Sequence, residues 1–225
     1  MRIPALLFII TLLGTGTMLP AQDFYRISAD FSVKSQGDSL GNLTMGRLFY
    51  DENIGQLIYD IRFPQEQTWV FSDSSIFRYQ SDSLLEATVG ASVADFSLFH
   101  LALNNDLRHY GLKGSIYDLE GVEKEGDLVI STWRPPGPLS STLGKVLISS
   151  KANRLYGIVF FNAEEEVLRK QFFRKYQNIN GLEFPTELID IFFLDEGKQY
   201  QKTNYSQIRV NETDHPEHYR FSAPQ

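Results

Sequence analysis

Apolar and polar side chains alternate with a period of two through much of the stretch from residue 31 to residue 79. Phe31 and Val33 interleave with Asp30, Ser32 and Lys34; Leu57, Tyr59, Ile61 and Phe63 interleave with Gln56, Asp60 and Arg62. Successive side chains leave a strand on opposite sides, so this period predicts β-strands with one buried face. Arg47 and Asp51 share a side with Phe49, which leaves Leu48 and Tyr50 for the other, and Asp51-Glu52-Asn53-Ile54-Gly55 predicts a hairpin turn. Trp69 and Phe71 lead through the turn-forming cluster Ser72-Asp73-Ser74-Ser75 into Phe77 and Tyr79, with Arg78 expected to point away. Four successive strands are thus expected to present aromatic side chains inward.

The period changes at residues 92–105. Ser92 and Asp95 form an S-x-x-D helix start, and Phe96, Phe99 and Leu103 recur at helical spacing, with Leu98, Leu101 and Ala102 widening the apolar surface. A helix this apolar must cover something. Residues 106–113 predict a second short helix ending at Gly114. Strands follow over 115–123 and 127–133, and Arg134-Pro135-Pro136-Gly137-Pro138 is a stiff loop and candidate hinge. The remainder reads as hairpins over 145–149, 155–161, 167–176, 186–194 and 200–210, joined by short turns. Consecutive hairpins build an antiparallel sheet. The expected fold is mainly β with an α lid: a curved antiparallel sheet forming an incomplete half-barrel, its concave face covered by one or more helices.

Composition narrows the setting. Arg2, the apolar run of residues 3–13 and Leu19-Pro20-Ala21 follow the three-part plan of a secretory signal, with cleavage expected before Gln22. Residues 1–21 are therefore read as a signal peptide and 22–225 as one domain, a size that suits a single all-β unit. No later segment approaches the roughly 20 unbroken apolar residues of a membrane helix. Cys is absent, so disulfides, thiol chemistry, Cys-ligated metals and a lipid-bearing N-terminal Cys are excluded. The formal charge of −7 becomes −8 when Arg2 leaves with the signal, which opposes binding to nucleic acid or to an anionic membrane surface. An exported, thiol-free sheet with one apolar face suggests a container for an apolar ligand.

Several short blocks carry a resemblance. They are Ser28-Ala29-Asp30-Phe31, Gly46-Arg47-Leu48-Phe49-Tyr50, Phe63-Pro64 with Phe71-Ser72-Asp73, Tyr79, and Phe221-Ser222-Ala223-Pro224. In order and spacing the chain resembles the periplasmic outer-membrane lipoprotein carrier family, LolA, and its wider superfamily of lipoprotein-sorting proteins. The resemblance implies an incomplete antiparallel barrel whose lidded concave face receives lipoprotein acyl chains. It also implies an inner-membrane release complex and an outer-membrane acceptor as partners, and a soluble, monomeric, non-enzymatic protein without a cofactor. One departure stands out: where the family has an Arg-Pro pair whose Arg bonds to the lid, this chain has Asp51-Glu52-Asn53. The lid latch is expected to differ.

A carrier needs a continuous apolar lining, because each CH₂ exposed to water costs about 0.8 kcal/mol. Phe31, Val33, Leu48, Tyr50, Leu57, Tyr59, Ile61, Trp69, Phe71, Phe77 and Tyr79 are the candidate lining, with Phe96, Phe99 and Leu103 as the lid. The alternative is that the same residues fill an ordinary core.

Competing chemistry is thin. Gly37-Asp38-Ser39-Leu40 spells the GDSL motif of an esterase family, with Ser39 as nucleophile, but that motif ends a parallel strand feeding a helix, and Asp214 and His218 miss the D-x-x-H spacing by one residue. His215-Pro216-Glu217-His218 supplies no third metal ligand, and Glu164-Glu165-Glu166 reads as a charged hairpin tip. An esterase and a structural or interaction module of the same fold remain the alternatives to a carrier.

Overall fold

A computed structural model describes residues 23–36, 42–72, 74–81, 83–89 and 97–222. The signal segment, the Gly37-Leu40 motif and the proposed helix start at Ser92 to Phe96 lie outside these residues.

The strands are β1 (Arg26–Gln36), β2 (Asn42–Asp51), β3 (Gln56–Phe63), β4 (Gln67–Ser72), β5 (Ser75–Gln80), β6 (Ser83–Val89), β7 (Asp118–Glu125), β8 (Leu128–Arg134), β9 (Val146–Lys151), β10 (Arg154–Phe161), β11 (Val167–Ile179), β12 (Leu182–Leu194) and β13 (Gly197–Val210). They form one sheet in the order β6-β5-β4-β3-β2-β1-β13-β12-β11-β10-β9-β8-β7. Two meanders of hairpins, one from each half of the chain, are thus joined where β1 pairs antiparallel with β13. The outer strands β6 and β7 do not pair with each other, so the sheet curls without closing: an incomplete barrel.

Curvature comes from irregular register. Pairing shifts between Ser28 and Asp30 on β1, between Met45 and Gly46 on β2, and between Leu155 and Gly157 on β10, while Lys175 and Gln207 adopt positive φ within β11 and β13. Such bulges bend a strand and increase its twist. At Gly46 the β2 backbone comes so close to β3 that an added Cβ would lie 2.1 Å from the Asp60 carbonyl oxygen.

Parity divides the residues between two faces. Ile27, Ala29, Phe31 and Val33 of β1, Leu48 and Tyr50 of β2, Leu57, Tyr59 and Ile61 of β3, and Trp69 and Phe71 of β4 belong to the concave side, where they join Leu182, Phe184, Leu188 and Tyr205 from the other half. A smaller cluster on the convex side, Phe49, Ile58, Val70, Tyr79 and Phe77, is covered by the C-terminal segment through Tyr219 and Phe221. The Phe221 amide donates to Gln56 Oε1 at 2.6 Å, and its ring lies 4.7 Å from that of Tyr79. Phe221, the first residue of the closing block of the resemblance, therefore lies on the outside of the sheet, while Ala223 and Pro224 fall outside the described residues.

Helix α1 (Leu98–Leu103) is shorter than the 92–105 expected, and Ser97 rather than Ser92 caps it, its hydroxyl accepting from the His100 amide at 3.2 Å. The expected second helix is two separate 3₁₀ turns, Leu107–His109 and Leu112–Gly114. Two strand readings also change: β6 was not foreseen, and β12 begins at Leu182 rather than at 186.

Gly46→Ala is expected to lower stability by about 1–3 kcal/mol, since the new methyl group meets backbone that can only shift. Thermal unfolding reads this out; an unchanged midpoint contradicts the close approach.

Candidate functional site

The lid is a plug as much as a cover. Five of the six residues of α1 are buried, and Phe99 inserts into the concave face. Its ring stacks on Phe184 (centroids 5.8 Å apart) and meets Tyr205 edge-on at 5.5 Å. Leu48, Tyr50 and Leu57, each no more than 2% exposed, pack in the same cluster as Phe99 and Leu103, so they fill a core and line no open space. Tyr110, after the helix, lies 6.2 Å from Phe160 and 6.0 Å from Phe173 and so packs on the far half of the sheet.

Beside the plug a hollow of about 510 Å³ remains open. Phe31 and Val33 of β1, Tyr59 and Ile61 of β3, and Trp69 and Phe71 of β4 form its apolar wall. Phe31 meets Tyr59 edge-on at 5.3 Å and Tyr59 meets Phe71 at 5.7 Å, a continuous aromatic surface across strands β1, β3 and β4. Ser35, Thr44, Gln65, Gln67, Gln201 and Thr203 give the hollow a polar side. Burial pushes the Tyr59 and Tyr205 hydroxyls well above the ordinary phenol range. The medium around them is poorly solvating.

Of the candidate lining, Phe31, Val33, Tyr59, Ile61, Trp69 and Phe71 come together around this hollow. Phe77 and Tyr79 do not: they lie on the convex side. The turn after β4 is tight, with Ser72 opposite Ser75 and Phe71 opposite Ile76, so Ile76 and Arg78 continue the concave face. Arg78 accordingly turns inward, 6.0 Å over the Trp69 ring and paired with Glu86 at 3.5 Å. Phe99 and Leu103 sit on the lid as expected, while Phe96 lies outside the described residues. Gln201, Thr203 and Tyr205 were missed, although they alternate with Lys202 and Asn204; nothing local tells that β13 returns beside β1.

A larger hollow, about 760 Å³, lies past the other end of α1. Its lining mixes Phe24, Leu103, Leu107, Leu155 and Leu182 with Glu52, Asn53, Asn104, Asn105, Arg108 and Asn153, so polar groups take a larger share of it than of the smaller hollow. The smaller hollow is the better match to a hydrocarbon chain.

The lid is tied to β2 without an Arg-Pro pair. Tyr50 Oη and His100 Nδ1 are 2.9 Å apart, and Asp51 turns instead to Arg26, whose Nε donates at 2.5 Å. Ser39 lies outside the described residues; the strands on either side of its motif, β1 and β2, are antiparallel neighbours in which Ser35 opposes Asn42. His215 and His218 stack on each other outside the sheet, His218 against Phe49.

No protein-family model matches the sequence, and no curated protein does. Solved structures do match. A LolA superfamily protein of Nitrosomonas europaea superposes with a TM-score of 0.58 at 18% identity, covering 84% of this chain and 87% of that one. The fold is that of the LolA superfamily. A DUF1329 family protein of Desulfovibrio piger (TM-score 0.64, 14% identity, 90% of this chain and 92% of that one) shares the LolA-like fold. So does a domain described as an outer membrane lipoprotein-sorting protein from Vibrio parahaemolyticus (0.60, 13% identity, 87% and 89%). Among the described residues no helix of this LolA-like chain is long and apolar enough to cross a membrane.

Tyr50→Phe and His100→Ala should each loosen the lid by about 1 kcal/mol, the worth of one hydrogen bond. Hydrogen exchange at the Leu101 and Asn104 amides should then speed up about fivefold. Unchanged exchange in both variants would show that the pair does not hold the lid.

Proposed function

We propose that the protein is a non-enzymatic carrier that holds the acyl chains of a lipoprotein, or of a related lipid, in the hollow beside the lid helix. Its place of work is the periplasm, reached by cleavage of residues 1–21, and its route runs from an inner-membrane release complex to an outer-membrane acceptor. Residues 22–225 act as one lipid-binding domain and as a monomer.

One observation carries the reading: an aromatic wall that, among the described residues, faces an open hollow beside the lid helix. Phe31, Tyr59, Trp69 and Phe71 face a space of about 510 Å³, within the range of pockets that enclose most of a small ligand. Each methylene brought there from water contributes about 0.8 kcal/mol, so a long acyl chain binds without any single dominant contact. The LolA-like fold supports the same reading, since one of its bearers is described as a lipoprotein-sorting protein.

The test is native mass spectrometry of protein taken from an envelope extract, with and without Trp69→Glu. Acyl-bearing species should accompany the natural chain and fall at least tenfold in the variant while its circular dichroism is unchanged. Phe77→Ser, on the other side of the sheet, should leave occupancy intact. A natural chain free of acyl species, or equal loss from both variants, overturns the carrier reading.

A further inference from the structure

The concave face holds a charged pair on β11 and β12, near the end where β12 turns into β13. Arg169 of β11 donates from Nε (2.8 Å) and Nη2 (2.5 Å) to the same oxygen, Oδ1 of Asp190 on β12. Asp190 stands directly opposite Gln201, which lines the polar side of the hollow. Phe192 and Phe160 flank the guanidinium at 5.1 and 5.9 Å.

The two partners are unequal. The Asp190 side chain is 3% exposed and that of Arg169 33%, so the part of the pair that a ligand can reach is the cation. A guanidinium carries five N–H donors, and Asp190 engages one edge of it. Burial raises the Asp190 carboxyl above its usual range, with Arg169 opposing, so the pair is held at a desolvation cost. Two apolar residues would fill the same wall without that cost.

We propose that Arg169 is the headgroup anchor of the hollow, binding the carboxylate or phosphate of an anionic amphiphile whose chain lies on the Phe31-Tyr59-Trp69 wall. This rests on the carrier reading and names the class of ligand it takes. Asp190 is the positioning residue: it fixes one edge of the guanidinium and leaves the other for a bidentate contact with the anion. The two rings keep the guanidinium plane from turning.

Binding of palmitate, hexadecyl phosphate and hexadecanol to the full chain, measured by calorimetry, tests this. Both anions should bind about tenfold more tightly than the alcohol, as expected for hydrogen bonds to a charged group. Arg169→Gln should abolish that preference and leave hexadecanol unchanged, and Arg169→Lys should restore part of it. Because Arg169→Gln strands a buried carboxylate, the double variant Arg169→Met/Asp190→Leu, neutral and apolar, serves as a second carrier of the test and should also lose the preference. Inorganic phosphate should not displace hexadecyl phosphate; displacement would mean a site for free anions and overturn the proposal. A preference unchanged in both variants overturns the anchor and leaves the carrier standing. Failure of all three chains to bind removes both.

Discussion

The stack of Phe99 on Phe184, with Tyr205 against its edge, decides how this sheet is used. A curled sheet that does not close has one concave face to hide, and a six-residue helix cannot hide all of it. Phe99 puts the helix over the seam where β1 meets β13, and the 3₁₀ turns with Tyr110 extend the cover toward β10 and β11. Among the described residues the wall formed by Tyr59 and Ile61 of β3 and Trp69 and Phe71 of β4 receives no such cover, and the hollow lies against it. A second aromatic cluster, strapped by Tyr219 and Phe221, packs against those strands from the convex side.

The same parity that builds the wall separates two chemistries. Concave positions on β1, β3 and β4 are aromatic or aliphatic except at the strand ends, Ser35 and Gln67, whereas those on β11 and β12 include Arg169, Gln171 and Asp190. Gln201 and Thr203 of β13 stand between them. Apolar surface gives affinity in proportion to area and little discrimination, while polar groups held in a poorly solvating wall give discrimination. An amphiphile meets both requirements at once.

Much of the architecture was legible from alternation alone. The hairpins of β1 to β4 and the meander after residue 145 follow from period-two patterning, and the helix followed from Phe99 and Leu103 at helical spacing. Strand β6 was not legible, because Ser83-Leu84-Leu85-Glu86-Ala87-Thr88-Val89 is an exposed edge with no buried face to impose a pattern. Phe77 and Tyr79 were given the wrong face because the tight turn after Ser72 fixes parity, and counting aromatics cannot. The split between filled core and open hollow could not be read at all. Tyr50 and Tyr59 look alike in sequence, and only the position of Phe99, with the return of β13 from far along the chain, makes one a core residue and the other a wall.

The central claim is that hydrocarbon enters the space beside Trp69. The chain has two tryptophans, Trp69 on that wall and Trp133, which is buried in the other half of the sheet. Fluorescence of a Trp133→Phe variant titrated with a fatty acid brominated along its chain should therefore be quenched saturably at Trp69, while a Trp69→Phe variant, reporting from Trp133, stays bright. Quenching at Trp133 with none at Trp69, or at neither, would contradict the account.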